Sequence, residues 1–160
     1  MTDVHPLTAS LTGTTLHVVK YPSSSTLSVH ERDRKETWSI ESPSCPPWLQ
    51  VFVARINHIA RLGHDWDSYG ALPPHKREAE RAVAFLLRNG FDGPAPVVSP
   101  TSDGGIHLEW GYRPFAVEIE IESGQPIQGF ALDGPEVDER DTDAAVAELL
   151  PVVTERLKPR

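Results

Sequence analysis

GIHLEWGYRPFAVEIEIE, residues 105 to 122, is the stretch on which the fold turns. Ile106, Leu108 and Trp110, then Phe115, Val117 and Ile119, stand at every second position on either side of GYRP, which is the period of a strand and not of a helix. A four-residue turn at 111 to 114 pairs Trp110 with Phe115, Leu108 with Val117 and Ile106 with Ile119, so that every apolar residue lands on one face. A second turn, SGQP, returns the chain through IQGFALD and sets Phe130 beside Ile119 and Leu132 beside Val117. Slipping by one residue would turn the whole apolar set towards water, so the pattern specifies the register.

The same alternation sends His107, Glu109, Glu118, Glu120 and Glu122 to the opposite face. There His107 opposes Glu118, Glu109 opposes Ala116 and Glu120 opposes Gly129, which makes an acidic strip interleaved with the small residues Ala116, Gly129 and Ala131. Glutamates on a strand face are ordinarily just solvated. The functional reading is a docking surface for a basic partner, with small residues allowing close approach. One histidine and two carboxylates, His107 with Glu118 and Glu120, could instead hold a divalent ion.

Outward from this sheet the period changes to that of helices. After SPSCPP, Leu49, Phe52, Val53, Ile56, Ile59 and Ala60 follow at helical spacing, which predicts a helix over 48–62 with proline in its first turn. A second covers 75–88, closed by Asn89 and Gly90, and a third covers 143–157, kinked or divided by Pro151. Residues 91 to 105 form a Pro- and Gly-rich connection with room for one short edge strand at Val97 and Val98. Near the N-terminus TTLHVVK (14–20), TLSVH (26–30) and TWSIE (37–41) alternate with period two. They predict a meander in which Val29 pairs with Trp38, Leu27 with Ile40, Val18 with Leu27 and Leu16 with Val29.

The expected fold is therefore α+β: an antiparallel sheet built of meanders, with two or three amphipathic helices packed on one face. Residues 1–13 read as a flexible arm. Residues 14–158 read as a single domain, comprising the meander 14–41, the two helices, a sheet over 105–132 and the C-terminal helix.

Between the first two helices lies GHDWDSYGALPP, residues 63–74. Leaving one helix and starting another requires turn chemistry: Asp67 can accept backbone N–H bonds, Gly70 can take positive φ, and Pro73 and Pro74 prepare the next helix. Trp66 and Tyr69 either bury their rings at the helix corner or face outward as anchors for a partner. His64, Asp65, Asp67 and His75 can be drawn as a metal site, and such a site is the basis of an alternative reading as a metal-dependent hydrolase, but the spacing fits no metal motif. Ser68 has no nucleophile-elbow pattern around it. Asp103, Gly104 and Gly105 form a tight turn into the strand that ends at Trp110, and Gly-Gly there could also cradle an anion.

The 160-residue chain carries a net charge of −8, distributed unevenly: residues 91–148 hold two basic residues against thirteen acidic ones, a balance of −11. That block repels phosphate backbones and attracts a basic protein. Nucleic-acid binding is correspondingly disfavoured, although Lys76, Arg77, Arg81 and Arg88 give one helix a basic face. Nothing approaches the roughly 18 apolar residues of a membrane span, and no leader is evident, so the expected location is the cytoplasm. Cys45 stands alone, which excludes a disulfide or a thiolate cluster within the chain.

WDSYGALPP (66–74), PAPVVSPTSDGGIHLEW (94–110) and VEIEI together resemble the signature of a group of small bacterial and phage-borne proteins. Their pattern is W-D-x-Y-G-A-x-P, an alanine-rich helix, P-x-V-x-P-x-x-D-G-G-I-x-L-E-W and an I-E-I strand. The resemblance spans residues 48–122 and implies a shared fold core. No activity, cofactor or catalytic residue is established for the group, so it implies no chemistry. The expected function is a small non-catalytic interaction or regulatory protein of bacteria, antitoxin-like or a modulator of a host or phage protein, with no cofactor and possible homo-oligomerisation. Its basic partner would meet Glu109, Glu118, Glu120, Glu122 and His107, with Trp66 and Tyr69 as further anchors.

Overall fold

The structure, a computed structural model, describes residues 27–32, 35–40, 45–112 and 114–157. Contacts divide the chain into two compact units at Cys45/Pro46. In the first, β1 (Leu27–Arg32) and β2 (Lys35–Ile40) form an antiparallel hairpin in the expected register, Leu27 opposite Ile40 and Val29 opposite Trp38. The arm expected at 1–13 and the strand expected at 14–20 lie outside the described residues.

The second unit begins with α1 (Pro47–Ile59), where proline at the first helical position satisfies the φ that the helix needs. It buries Trp48, Leu49, Phe52, Val53, Ile56 and Ile59. The helix ends short of the expected residue 62, because the chain tightens there into i→i+3 bonds, Leu62 N to Ile59 O at 3.0 Å among them. Next, α2 (Lys76–Arg88) buries Ala79, Ala82, Val83, Phe85 and Leu86. Gly90, at φ 63, stops it.

Strands β3 (Val97–Pro100), β4 (Ile106–Tyr112), β5 (Phe115–Ile121), β6 (Gln128–Asp133) and β7 (Glu136–Arg140) form one antiparallel sheet in chain order. The β4–β5 register differs from the expected one by two residues: Leu108 opposes Ile119, Trp110 opposes Val117 and Ile106 opposes Ile121. The ladder runs on through Gly111 and Ala116 to Tyr112 and Phe115, so the turn is two residues long and not four. Gly111 makes this possible, since it sits at φ 84 and a Cβ there would meet the Phe115 carbonyl oxygen at 2.6 Å. An even shift preserves side-chain parity, so the apolar face is unchanged and only its partners move.

Between β5 and β6 the shift is odd, with a larger consequence. Ile119 opposes Gly129 and Val117 opposes Ala131, which places Phe130 and Leu132 on the acidic side. Gly129 faces the core because Val146 and Leu149 come down on it; a Cβ at Gly129 would lie 2.9 Å from Val146 Cγ1 and 3.0 Å from Leu149 Cδ1. These two belong to α3 (Asp143–Ala147) and α4 (Leu149–Arg156). The C-terminal helix, expected to be kinked or divided by Pro151, is divided, and the break falls at Glu148, because a proline offers no N–H to the carbonyl four residues before it and crowds that turn.

Strand β7, EVDER, was not expected, since one valine among charges carries no readable period. On the closed face Ile106, Leu108, Val117, Ile119 and Ile121 are 0% exposed. Trp110 joins them, its indole N–H donating to Pro94 O at 2.8 Å and its ring meeting Phe91 edge to face, and Phe91 in turn packs against Trp48. That chain of rings ties the 89–96 connection to the sheet. Among the described residues no helix is long and apolar enough to cross a membrane.

Candidate functional site

Two surfaces gather the residues singled out by the sequence. The first is the outer face of the sheet. Hydrogen-bonded pairing sets Val97, Glu109, Glu118, Phe130 and Glu139 in one row across the five strands. His107, Glu120 and Gln128 form the row on one side of it, and Gly111, Ala116, Leu132 and Val137 the row on the other. His107 thus opposes Glu120 and reaches Glu118 only diagonally, Nε2 to Oε2 at 3.5 Å. Glu109 opposes Glu118 and not Ala116, so two carboxylates stand directly across from each other. Of the small residues expected in the strip, Ala116 is there, buried as its floor, whereas Gly129 and Ala131 face the helices.

Sequence reasoning missed Phe130, Leu132, Val137 and Glu139 on this face. A one-residue slip hid the first two, and β7 supplies the others. Glu122 lies beyond β5, in a turn held by α2: Arg81 donates from Nη1 to Glu122 O at 2.6 Å and from Nη2 to Gln125 O at 2.7 Å. Partial burial, reinforced by the nearby charges of Asp103 and Glu120, holds the Glu122 carboxyl above the usual carboxylate range.

The second surface is the 63–75 loop docked on the 101–105 turn. Asp67 Oδ1 accepts from Tyr69 N at 2.8 Å and Ala71 N at 3.1 Å, and Asp65 Oδ1 accepts from Gly70 N at 2.7 Å. These backbone donors, Tyr69 N first, hold Asp67 below its ordinary pKa. Gly70 takes φ 89 as its turn requires, and Asp65 and Ser68 are also left-handed, at φ 62 and 65. The loop then seats on the second turn through Leu72 N to Ser102 O and His75 N to Gly104 O, each 2.8 Å. Gly104, at φ 86, lies beneath the His75 ring, where a Cβ would meet the ring and Pro73 O at 2.9 Å. Gly105 N donates to Asp103 Oδ1, which also takes the Thr101 hydroxyl. The two stretches that carry the family-like pattern therefore meet in space.

Trp66 and Tyr69 part company. Trp66 is half-buried, its indole N–H bonded to Leu72 O at 3.0 Å, and so holds the loop to itself. Tyr69 is 93% exposed. Among the described residues no three His, Cys, Asp or Glu side chains form a group that could hold a metal, so neither the His64, Asp65, Asp67, His75 set nor the His107, Glu118, Glu120 set is gathered into one. The basic face of α2 is partly spent: Arg81 pairs with the fully buried Glu78 at 2.8 Å and Arg88 with Asp143 at 3.4 Å. Two clefts of about 370 and 320 Å³ flank Asp92 and Thr154, and Glu155 also lines the larger.

The chain matches no family model, no curated protein and no solved structure. What the fold and its surfaces define is an open-sheet α+β unit with an acidic, partly apolar outer face.

Proposed function

We propose that the protein is a non-catalytic interaction or regulatory protein of the bacterial cytoplasm that binds a basic protein partner through the outer face of its sheet, as an antitoxin or a modulator of a host or phage protein would. The observation that carries this reading is the Glu109–Glu118 pair. Like charges directly opposite on neighbouring strands destabilise a sheet. A fold that keeps such a pair, with Glu120 and Glu139 near it and no lysine or arginine placed on that face among the described residues, stores repulsion that a cationic partner relieves.

Capture from a native-host extract tests the reading. Tagged wild-type protein is compared with a Glu109→Gln, Glu118→Gln, Glu120→Gln variant at low and high ionic strength. The expected result is a stoichiometric basic partner that wild type holds at low salt, releases at high salt, and that the variant fails to hold. A partner retained equally by the variant refutes the acidic-face reading.

A further inference from the structure

We infer that the element received by the outer face is a basic amphipathic helix lying along β6, an inference that rests on the reading just proposed and names the shape of the partner. Three observations carry it.

The first is the layout of charge around β6. Phe130 and Leu132 form a half-buried apolar strip along that strand. Its neighbours in register are Glu118 on β5 and Glu139 on β7 beside Phe130, and Ala116 and Val137 beside Leu132. The strip therefore has a carboxylate shoulder on either side and an apolar floor that widens at one end. Two strand spacings separate the shoulders, about 10 Å, which is close to the width of an α-helix with its side chains. A helix aligned with β6 would set an apolar stripe on Phe130 and Leu132 while lysines or arginines on its two flanks reach Glu118, with Glu120 next along the strand, and Glu139. About ten helical residues cover the strip.

The second is the closure of the alternative route. A strand could add to the sheet only at β3 or β7. Strand β3 ends in Pro100 and follows Pro94 and Pro96, which lack the N–H groups that a ladder uses. Strand β7 lines its edge with Glu136, Asp138 and Glu139, a charge pattern that discourages pairing with another strand. A partner is thereby steered to the face.

The third is the sign of the field. Among the described residues the rows of the face hold His107 but no lysine or arginine, so a neutral or acidic helix gains only the apolar contact and leaves Glu109 and Glu118 facing each other.

The test is fluorescence anisotropy of a labelled peptide of about 14 residues made of leucine, alanine and lysine, with leucines at helical spacing and lysines on both flanks, titrated with the full chain. The control has the same composition in an order that abolishes the apolar stripe. We expect the helical peptide to bind at least about tenfold more tightly than the control, and Glu118→Gln/Glu139→Gln to weaken it by about fivefold or more. Phe130→Ala should weaken it as well; should that variant fail to fold, the two surface Glu→Gln changes keep the test decisive. Equal binding of both peptides overturns the helix while leaving the acidic-face reading intact. Binding indifferent to all three substitutions, or no binding by either peptide, overturns the inference, and the capture experiment above decides separately whether the acidic face binds anything.

Discussion

On the closed face of the five-stranded sheet Ile106, Leu108, Val117 and Ile119 are wholly buried, while His107, Glu109 and Glu118, alternating with them on the same strands, and Phe130 on β6 stay half open. The two faces obey different constraints. Where helices press on the sheet, volume decides: Gly129 is required because Val146 and Leu149 leave no room for a side chain. On the outer face volume is free and charge decides, so a phenylalanine, an alanine and paired glutamates coexist there at a cost that packing does not repay.

The largest effect that tests this contrast comes from neighbouring residues of β6. Gly129→Val should cost about 2–3 kcal/mol by overpacking against Val146 and Leu149. Phe130→Ala, one position away, should cost about 1 kcal/mol, because only part of its ring is withdrawn from water. Urea denaturation of both variants orders them; the reverse order would mean that β6 presents its other face to the helices.

That strand also marks where the sequence stopped being legible. Alternation in β4 and β5 identified the closed face correctly despite a register wrong by two, since parity survives an even shift. In β6 the apolar-looking residues, Phe130 and Leu132, are not the core ones. The signal for the true register lay in Gly129, whose smallness answers Val146 and Leu149 of α3 and α4 much later in the chain, and a local pattern cannot express that dependence. Strand β7 had no pattern at all, being defined by pairing with β6 alone. The register of β1 and β2 was readable because the alternation of the two strands pairs Leu27 with Ile40 and Val29 with Trp38 at once.

The loop at 63–75 offers the second comparison, a region whose chemistry was legible while its destination was not. Asp67, Gly70 and Pro73 announced a structured turn; nothing local announced that it would seat on Gly104. Gly104→Ala should cost about 2 kcal/mol, by left-handed strain and by contact with Pro73 O and the His75 ring. Asp67→Ala should lower the melting temperature less, and speed amide exchange at Tyr69 and Ala71, whose N–H groups lose their acceptor. If Gly104→Ala proves neutral, the loop does not depend on the second turn and the junction of the two stretches is incidental.

On the outer face the expected changes are small and of the opposite sign. Glu118→Gln removes one member of a repelling pair and should leave stability unchanged or raise it by up to about 0.5 kcal/mol, with a smaller gain at high salt. A clear loss would mean that the contact with His107 outweighs the repulsion from Glu109.

The smallest effect is a pH dependence at the edge of that face. Burial, together with Asp103 and Glu120, raises the Glu122 pKa in the folded protein, so the folded state binds this proton more tightly than the unfolded chain does. The stabilisation from protonating Glu122 is complete below the ordinary glutamate pKa and is lost as pH rises through the elevated folded value. Glu122→Gln, which cannot ionise, should therefore be slightly more stable than wild type at neutral pH, and the gap should close on mild acidification. Asp67 works in the other direction: its depressed pKa gives stability that is present above the ordinary aspartate value and lost as pH falls through the folded one, equally in both proteins. Urea midpoints measured across the carboxylate range separate the two groups, because only Glu122 changes the difference between the curves. Parallel curves would place Glu122 in open water, free of Asp103 and Glu120, and would return it to the solvated end of the acidic strip.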